Sequence, residues 1–327
     1  MTTDSMRSSS YSTPLDLTVR LVRLQANVEQ VIRGKPDVVA LALTCLLAEG
    51  HMLVEDVPGV GKTSLARALA ASIAGTWHRI QFTPDLLPSD ITGVTIYNQA
   101  VQRFELHEGP VFANIVLGDE INRASPKTQS ALLEVMEERR VTVDGTPHAV
   151  PSPFIVIATQ NPVDMDGTYA LPEAQLDRFL MRVQIGYPDH DAEVQVLIDE
   201  HAGRRIDHLQ PVMTVAEVGE LIEAARRVHV TDSIHSYIVR LVAATRGQPD
   251  VRLGASPRAS LALLRAARAR AAMHDRDYVT PEDAKQLAVP VLAHRIILTA
   301  EAELRGSTGA DATRRAVDSV AMPQALV

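Results

Sequence analysis

Residues 51–74 read HMLVEDVPGVGKTSLARALAASIA, and most of the predicted architecture follows from them. Residues 51–55 have the composition of a short strand, residues 56–61 that of a glycine-rich turn, and residues 62–74 the alanine-rich pattern of a helix. A strand, a tight turn and a helix in direct succession are the repeating unit of a parallel sheet covered by helices. We therefore predict an α/β fold.

The turn has the spacing of a phosphate-binding loop, G-x-x-x-x-G-K-[ST], in every position but the first, where Asp56 replaces glycine. Gly59 and Gly61 allow backbone N–H groups to close around phosphates, and the positive end of the following helix points there. Lys62 is expected to reach the β- and γ-phosphates, and the Thr63 hydroxyl to bind Mg²⁺. The sequence thus predicts ATP and Mg²⁺ as cofactors.

The predicted nucleotide contacts are Pro58, Gly59, Val60, Gly61, Lys62, Thr63, Ser64 and, after the first helix, Gly34. Asp56 is compatible with the loop if its φ is negative.

A second motif is the run NIVLGDE at 114–120, a buried strand that ends in two acids. Asp119 is expected to hold the Mg²⁺ ion, and Glu120 to orient and deprotonate the attacking water. Gly118 stands where another small or apolar residue is more usual, which predicts a looser acid pair.

A third strand, 154–158, is followed by Thr159, Gln160 and Asn161. In a parallel sheet the carboxyl ends of strands meet at one edge, so a polar amide there can reach both the γ-phosphate and the lytic water. We assign this role to Asn161, although an Asn-Pro pair taken by itself is usually a turn.

The chain divides into a sheet-containing core and a helical part. We place a nucleotide-binding αβα core in residues 15–188 and an all-helical lid domain in 189–305, and treat 1–14 and 306–327 as mobile ends. Two helices, 16–32 capped by Asp16 and 36–48, come before the phosphate loop. Within the lid, helices should begin at Asp191, Thr214, Thr231, Ser256-Pro257 and Thr280-Pro281.

Two segments interrupt the core pattern. Residues 94–106 alternate around a polar centre, and residues 140–153 contain the turn dipeptide Asp144-Gly145, so both are predicted to be inserted β-hairpins. Such hairpins either contact a substrate or are simple surface excursions, and the residues do not distinguish these alternatives.

Composition and charge argue against several classes of protein. The net charge of −8 is spread out and no Lys/Arg run exceeds a pair, which argues against nucleic acid as the partner. The longest apolar run, 38–48, is short of the ~20 residues of a membrane helix, and the N-terminus resembles no leader. Cys45 is the only cysteine, and the histidines show no metal-binding spacing. We expect a cytoplasmic protein.

Taken together, these motifs resemble the AAA+ superfamily, and the match to its MoxR branch covers about residues 16–305. The stretches that look like MoxR signatures are 55–63, GDEINR at 118–123, PKTQSALLE at 126–134, LPEAQLDRF at 171–179 and GASPR at 254–258.

The resemblance implies an ATPase that acts as a homo-oligomeric ring, with six as the expected number of subunits. In similar proteins the arginine of the L-D-R-F motif enters the neighbouring subunit's nucleotide site, which makes Arg178 the candidate arginine finger. Arg258 corresponds to a second γ-phosphate sensor, acting on its own nucleotide or on a neighbour's. Both hairpin inserts would face the pore or the client.

The resemblance also implies a function, namely remodelling, assembly or maturation of a client protein, with a von Willebrand A-domain protein as partner. Two alternatives stay open at this stage. One is a scaffold or switch in which hydrolysis is slow and regulatory, and the other is a DNA-acting motor, which the acidic net charge disfavours.

Overall fold

The computed structural model describes residues 14–57, 59–161, 169–201 and 206–323. The strands are β1 (Met52–Glu55), β2 (Trp77–Gln81), β3 (Gly93–Asn98), β4 (Arg103–Glu108), β5 (Ile115–Asp119), β6 (Arg140–Val143), β7 (Thr146–Ala149), β8 (Ile155–Gln160), β9 (Met181–Val183), β10 (Val251–Leu253) and β11 (Ile297–Leu298). The α-helices are α1 (Pro14–Glu29), α2 (Pro36–Leu47), α3 (Lys62–Ser72), α4 (Pro88–Thr92), α5 (Pro126–Glu138), α6 (Glu173–Leu176), α7 (His190–His201), α8 (Val215–Arg227), α9 (Asp232–Ala244), α10 (Pro257–Met273), α11 (Pro281–Leu292), α12 (Ala300–Leu304) and α13 (Gly309–Ser319).

The central sheet is parallel and has the order β2-β5-β8-β1-β9. Its strands alternate between two hydrophobic cores, because successive side chains of a strand point to opposite faces. In β1, Met52 and Val54 belong to the core that α1, α2 and α3 share, whereas Leu53 belongs to the core on the α5 side. The predicted α/β class and parallel sheet are confirmed, and the phosphate loop and the acid pair lie at the same edge of this sheet.

The lid helices begin at or next to the predicted residues. Thr214, Thr231, Ser256 and Thr280 are the N-cap residues of α8, α9, α10 and α11, and α7 begins one residue before the predicted start. One addition is a small antiparallel sheet of β10 and β11 among the lid helices.

Two predictions at the chain ends need correction. The first helix begins at Pro14, so Asp16 lies inside its first turn and is not its cap. Part of the segment treated as a mobile C-terminal end, 309–319, is helix α13, in which Ala312 and Ala316 are buried. The physical reason is visible in the sequence, since Thr308 and Asp311 form a reciprocal capping box in front of an apolar face.

Both predicted hairpins are present, β3 with β4 and β6 with β7. The turn of the second has Asp144 at φ 48° and Gly145 at φ 78°, the left-handed conformation that a two-residue hairpin turn needs. Across the described residues, the helices lack the combination of length and apolar character that crossing a bilayer requires.

His51 is a buried link between the sheet and α5. The Val156 N–H donates to its Nδ1 at 3.0 Å, so Nδ1 is unprotonated and Nε2 donates to the Met136 carbonyl at 2.9 Å. Burial lowers the pKa of His51 to about 3. The imidazole is therefore neutral in the folded protein and structural in role.

This linkage predicts a pH-dependent stability. A folded-state pKa below the unfolded value of 6.5 stabilises the protein above pH 6.5, and the stabilisation is lost as the pH falls towards 3. Between pH 7 and pH 5 the His51 contribution should decrease by about 2 kcal/mol. Urea unfolding of the wild type and of His51→Asn at both pH values measures this difference. His294, also buried with a lowered pKa, contributes equally to both proteins. Equal losses in the two proteins would contradict the assignment.

Candidate functional site

The loop between β1 and α3 has the backbone of a phosphate cradle. Gly59 has φ 86° and Gly61, the N-cap of α3, has φ 94°. A Cβ at either position would have no atom within 4 Å, so backbone conformation rather than space requires glycine. The N–H groups of the first turn of α3 are thus directed at the place where a phosphate would bind.

Lys62 lies in the first turn of α3 with its side chain largely buried. Its Nζ donates to the Asp56 carbonyl at 2.8 Å, which holds the ammonium group across the loop. Thr63 and Ser64 follow in the same turn and are half-buried. Pro58 lies outside the described residues.

Asp56 is compatible with the loop, because it is not among the described residues with positive φ. Its carboxylate makes contacts that the sequence does not reveal. Oδ1 accepts the Val57 N–H at 2.8 Å, and Oδ2 accepts the N–H groups of Ile185 and Gly186 at 2.8 and 2.6 Å. The first residue of the loop is therefore tied to the segment that follows β9.

The two acids stand at the carboxyl end of β5. Asp119 accepts the Thr159 hydroxyl on Oδ1 and the Arg79 guanidinium on Oδ2, each at 2.6 Å. The Glu120 N–H also donates to the Thr159 hydroxyl, at 3.0 Å, and Glu120 has the left-handed φ of 58°. Such a backbone is unusual for glutamate.

The Glu120 carboxylate is held from two sides. Gln81 Nε2 donates to its Oε2 at 3.0 Å, and Arg123 Nε is 3.2 Å from the same oxygen. Arg79 in turn donates to Gln81 Oε1 at 2.8 Å. Sequence reasoning does not identify Arg79 or Gln81, because β2 is short and mostly polar and carries no strand signal. Because Arg79 and Gln81 are two residues apart, both side chains lie on one face of β2.

Gly118 does not leave the acid pair loosely held, contrary to the prediction. A Cβ at this glycine would lie 3.1 Å from the Phe82 ring, so the glycine makes room for a buried aromatic. The hydrogen bonds of Asp119 then hold it at the strand end.

Asn161 follows β8 and is buried. Strand β8 lies between β5 and β1 in the sheet, so Asn161 stands between the acid pair and the phosphate loop. The structure thus places Lys62, Thr63, Asp119, Glu120 and Asn161 along one edge of the sheet, as the sequence predicts.

The donors at this edge suit Mg²⁺. Asp119 and Thr63 offer oxygen ligands, and Mg²⁺ in nucleotide enzymes takes one or two carboxylates and completes its shell with water and phosphate oxygens. No group of three or more His, Cys, Asp or Glu side chains that could hold a metal by itself occurs among the described residues. Arg79, which is 47% exposed, would have to turn away from Asp119 Oδ2 to open that oxygen to the ion.

Arg178 and Arg258 lie elsewhere. The Leu180 N–H donates to the His51 carbonyl at 2.8 Å, just before the parallel pairing of β9 with β1 begins, so Arg178 is at the amino edge of the sheet. Both arginines approach Glu137, Arg178 at 3.3 Å and Arg258 at 3.6 Å. Glu137 is near the end of α5, a helix about 20 Å long that starts beside the acid pair.

Within one chain, therefore, the two arginines are not brought to the phosphate loop. Glu137 is a residue that sequence reasoning misses, since nothing in the sequence of α5 indicates which of its acids meets an arginine from the lid.

Gly34 has φ 69°, and a Cβ there would lie 2.8 Å from Cβ of Ala192. The glycine lets the turn between α1 and α2 approach the start of α7. Its predicted contact with nucleotide stays a prediction.

Comparison with known proteins gives two family matches. The ATPase family associated with various cellular activities (AAA) matches residues 51–181, and the AAA lid domain matches residues 243–316.

Similar whole chains are also known. The uncharacterized protein YeaC of Bacillus subtilis is 50% identical over 94% of this chain and 96% of its own length. The chaperone MoxR1 of Mycobacterium tuberculosis is 42% identical over 93% of this chain and 82% of its own length. A crystal structure from Cytophaga hutchinsonii, whose description proposes an ATPase, superposes with a TM-score of 0.89 at 39% identity, covering 95% of this chain and 97% of that one.

Proposed function

This chain belongs to the MoxR family of AAA+ ATPases, and from that premise we propose that it uses ATP hydrolysis to remodel, assemble or mature client proteins. The observation that carries the proposal is the exposed apolar surface of hairpin β3–β4 in a chain that also carries the nucleotide site. The chaperone name of one relative agrees with it.

In the proposed reaction the residues at the sheet edge divide the work of phosphate binding, metal binding and water activation. Lys62 binds the β- and γ-phosphates and neutralises part of their charge. Thr63 and Asp119 would hold Mg²⁺, which would neutralise charge that develops on the phosphate oxygens. Glu120 orients the attacking water and takes its proton, and Asn161 donates to the γ-phosphate and positions the same water.

Two further groups, the guanidinium groups of Arg178 and Arg258, would come from a neighbouring subunit. Since Arg178 and Arg258 lie at the opposite edge of the sheet, we propose that both serve the next subunit's nucleotide in a ring of six. Glu137 keeps the two guanidinium groups together until a phosphate competes for them. For Arg258 we thus propose action on a neighbouring subunit's nucleotide, not on its own.

The residues around Arg178 and Arg258 favour the binding of an anionic ligand. A cavity of about 520 Å³ beside them is lined by Arg139, Arg178, Arg258, Arg265, Arg268 and Arg295. Three acids, Glu49, Glu137 and Asp177, also line it, so arginines outnumber acids. A positively charged recess of this kind favours the triphosphate of another subunit.

The client contact is assigned to hairpin β3–β4. Phe104 is 70% exposed and Tyr97 48%, and their rings meet edge to face at 5.2 Å between centroids. Val94 and Ile96 are exposed on the opposite face of the hairpin, and Val101 is exposed in its turn. Exposed apolar groups in this concentration mark an interaction site.

The same hairpin disfavours DNA as the client. Its strands carry Arg103 together with Glu105 and Glu108, so acids outnumber the single arginine. A surface that follows a phosphate backbone needs basic residues. A von Willebrand A-domain protein stays part of the proposal as the partner.

Replacing both hairpin aromatics tests the client contact. Tyr97→Ser with Phe104→Ser should leave the basal ATPase rate within about twofold, because neither ring touches the acids, and should remove most ATP-dependent protection of an aggregating protein. The assay follows light scattering of a chemically denatured model protein after dilution, with and without ATP.

Leu304→Ser, which removes an 89%-exposed leucine from the lid, is the matched control. Undiminished protection by the double hairpin variant would move the client site elsewhere.

A further inference from the structure

Asp56 joins three parts of the molecule that nucleotide binding must coordinate. Its carbonyl accepts Lys62 Nζ at 2.8 Å, and its carboxylate accepts the neighbouring loop N–H of Val57 at 2.8 Å. The other carboxylate oxygen accepts the N–H groups of Ile185 and Gly186. Those two residues belong to the connection from β9 to α7, which leads from the sheet to the lid helices.

The carboxylate accepts three N–H bonds and so has the bonding pattern of an ionised acid. A fixed negative charge at the start of a phosphate loop opposes the binding of a polyanion. Hydrogen bonds from backbone N–H groups spread such a charge and offset part of that repulsion. Two of the three bonds come from the connection, not from the loop itself.

We infer that Asp56 is a positioning residue that makes nucleotide affinity depend on where the 185–186 connection lies. With the connection in place, the N–H groups of Ile185 and Gly186 compensate the carboxylate. Once the connection moves with the lid, the exposed charge repels the phosphates and ADP leaves faster. By reciprocity, bound nucleotide stabilises the connection by the same factor. The inference rests on the proposed binding of nucleotide at this loop.

The test compares Asp56→Asn and Asp56→Gly with the wild type in the full chain. Asparagine keeps the shape but removes the charge and one acceptor, and glycine restores the usual loop residue. We expect ADP to bind about threefold to tenfold tighter in both variants, and kcat and KM for ATP to decrease together, because a repulsion felt by bound product is gone. A residue that only supported the fold would raise KM or leave it unchanged.

Asp311→Asn is the matched control, since Asp311 caps α13 in the lid and the same charge is removed there. Its ADP affinity should equal that of the wild type.

Hydrogen exchange supplies the structural readout. In the wild type, ADP should slow exchange of the Ile185 and Gly186 amides by the same factor of about three to ten, whereas in Asp56→Gly these amides should exchange rapidly whether or not ADP is present. ADP affinity in the two Asp56 variants that is unchanged or weaker overturns the inference. Should Lys62→Ala bind ADP as tightly as the wild type, the proposed nucleotide loop itself would be wrong.

Discussion

Glu120→Gln is expected to stop ATP turnover while nucleotide binding and assembly persist. The amide has nearly the shape of the carboxylate but cannot accept a proton from water, so the rate should fall by about 10²- to 10⁴-fold. Lys62, Thr63 and Asp119 are untouched, and ATP affinity should therefore stay within a few-fold of the wild type. Phosphate release, ATP binding and light scattering measure the three quantities on one preparation.

Glu303→Gln, an exposed position on α12, is the control for this substitution. The result also separates a motor from a scaffold. If Glu120→Gln loses turnover and loses client protection with it, hydrolysis drives the function. A variant without turnover that still protects the client fully would favour the scaffold, and one with a wild-type rate would show that Glu120 is not the base.

Arg178→Ala should lose about 10³- to 10⁵-fold in ATP turnover, the range known for arginine fingers in other NTPases. The substituted side chain lies at the amino edge of the sheet beside Glu137, far from the phosphate loop of its own chain. The loss therefore has to arise in the neighbouring subunit. Wild-type specific activity should rise with protein concentration, and added mutant should reduce it more steeply than dilution alone.

Arg314→Ala removes an exposed arginine that pairs only locally with Asp311 on α13, so mixtures with it should show simple dilution. Light scattering with and without ATP reports assembly in parallel. Activity that is independent of concentration, from a monomer under every condition, would contradict the shared site. It would leave a phosphate-loop ATPase in which Arg178 has another task.

Much of the site could be predicted because its signals are local. The glycines of the loop, Lys62 and Thr63 lie within a few consecutive residues, and their backbone conformation follows from that short stretch. Lid helices α10 and α11 were equally accessible, since a Ser or Thr cap followed by proline marks a helix start regardless of what the helix packs against. Helix α13 carried the same kind of capping signal, which the prediction of a mobile end overlooked.

The parts of the site that could not be predicted depend on contacts between residues far apart in the chain. Arg79 and Gln81 reach the acids about forty positions later only because β2 and β5 are neighbours in register. A strand without an apolar pattern gives no hint of this pairing.

The sequence by itself determined the chemical groups and their order along the chain, because a phosphate loop, an acid pair and a capped helix are each built from neighbouring residues. Only the tertiary structure decided which groups share an edge of the sheet. Strand order brings Asn161 between the loop and the acids, and the parallel pairing of β9 with β1 puts Arg178 at the opposite edge. The physical reason is that sheet register and helix packing are set by long-range burial of apolar faces, which no local motif encodes.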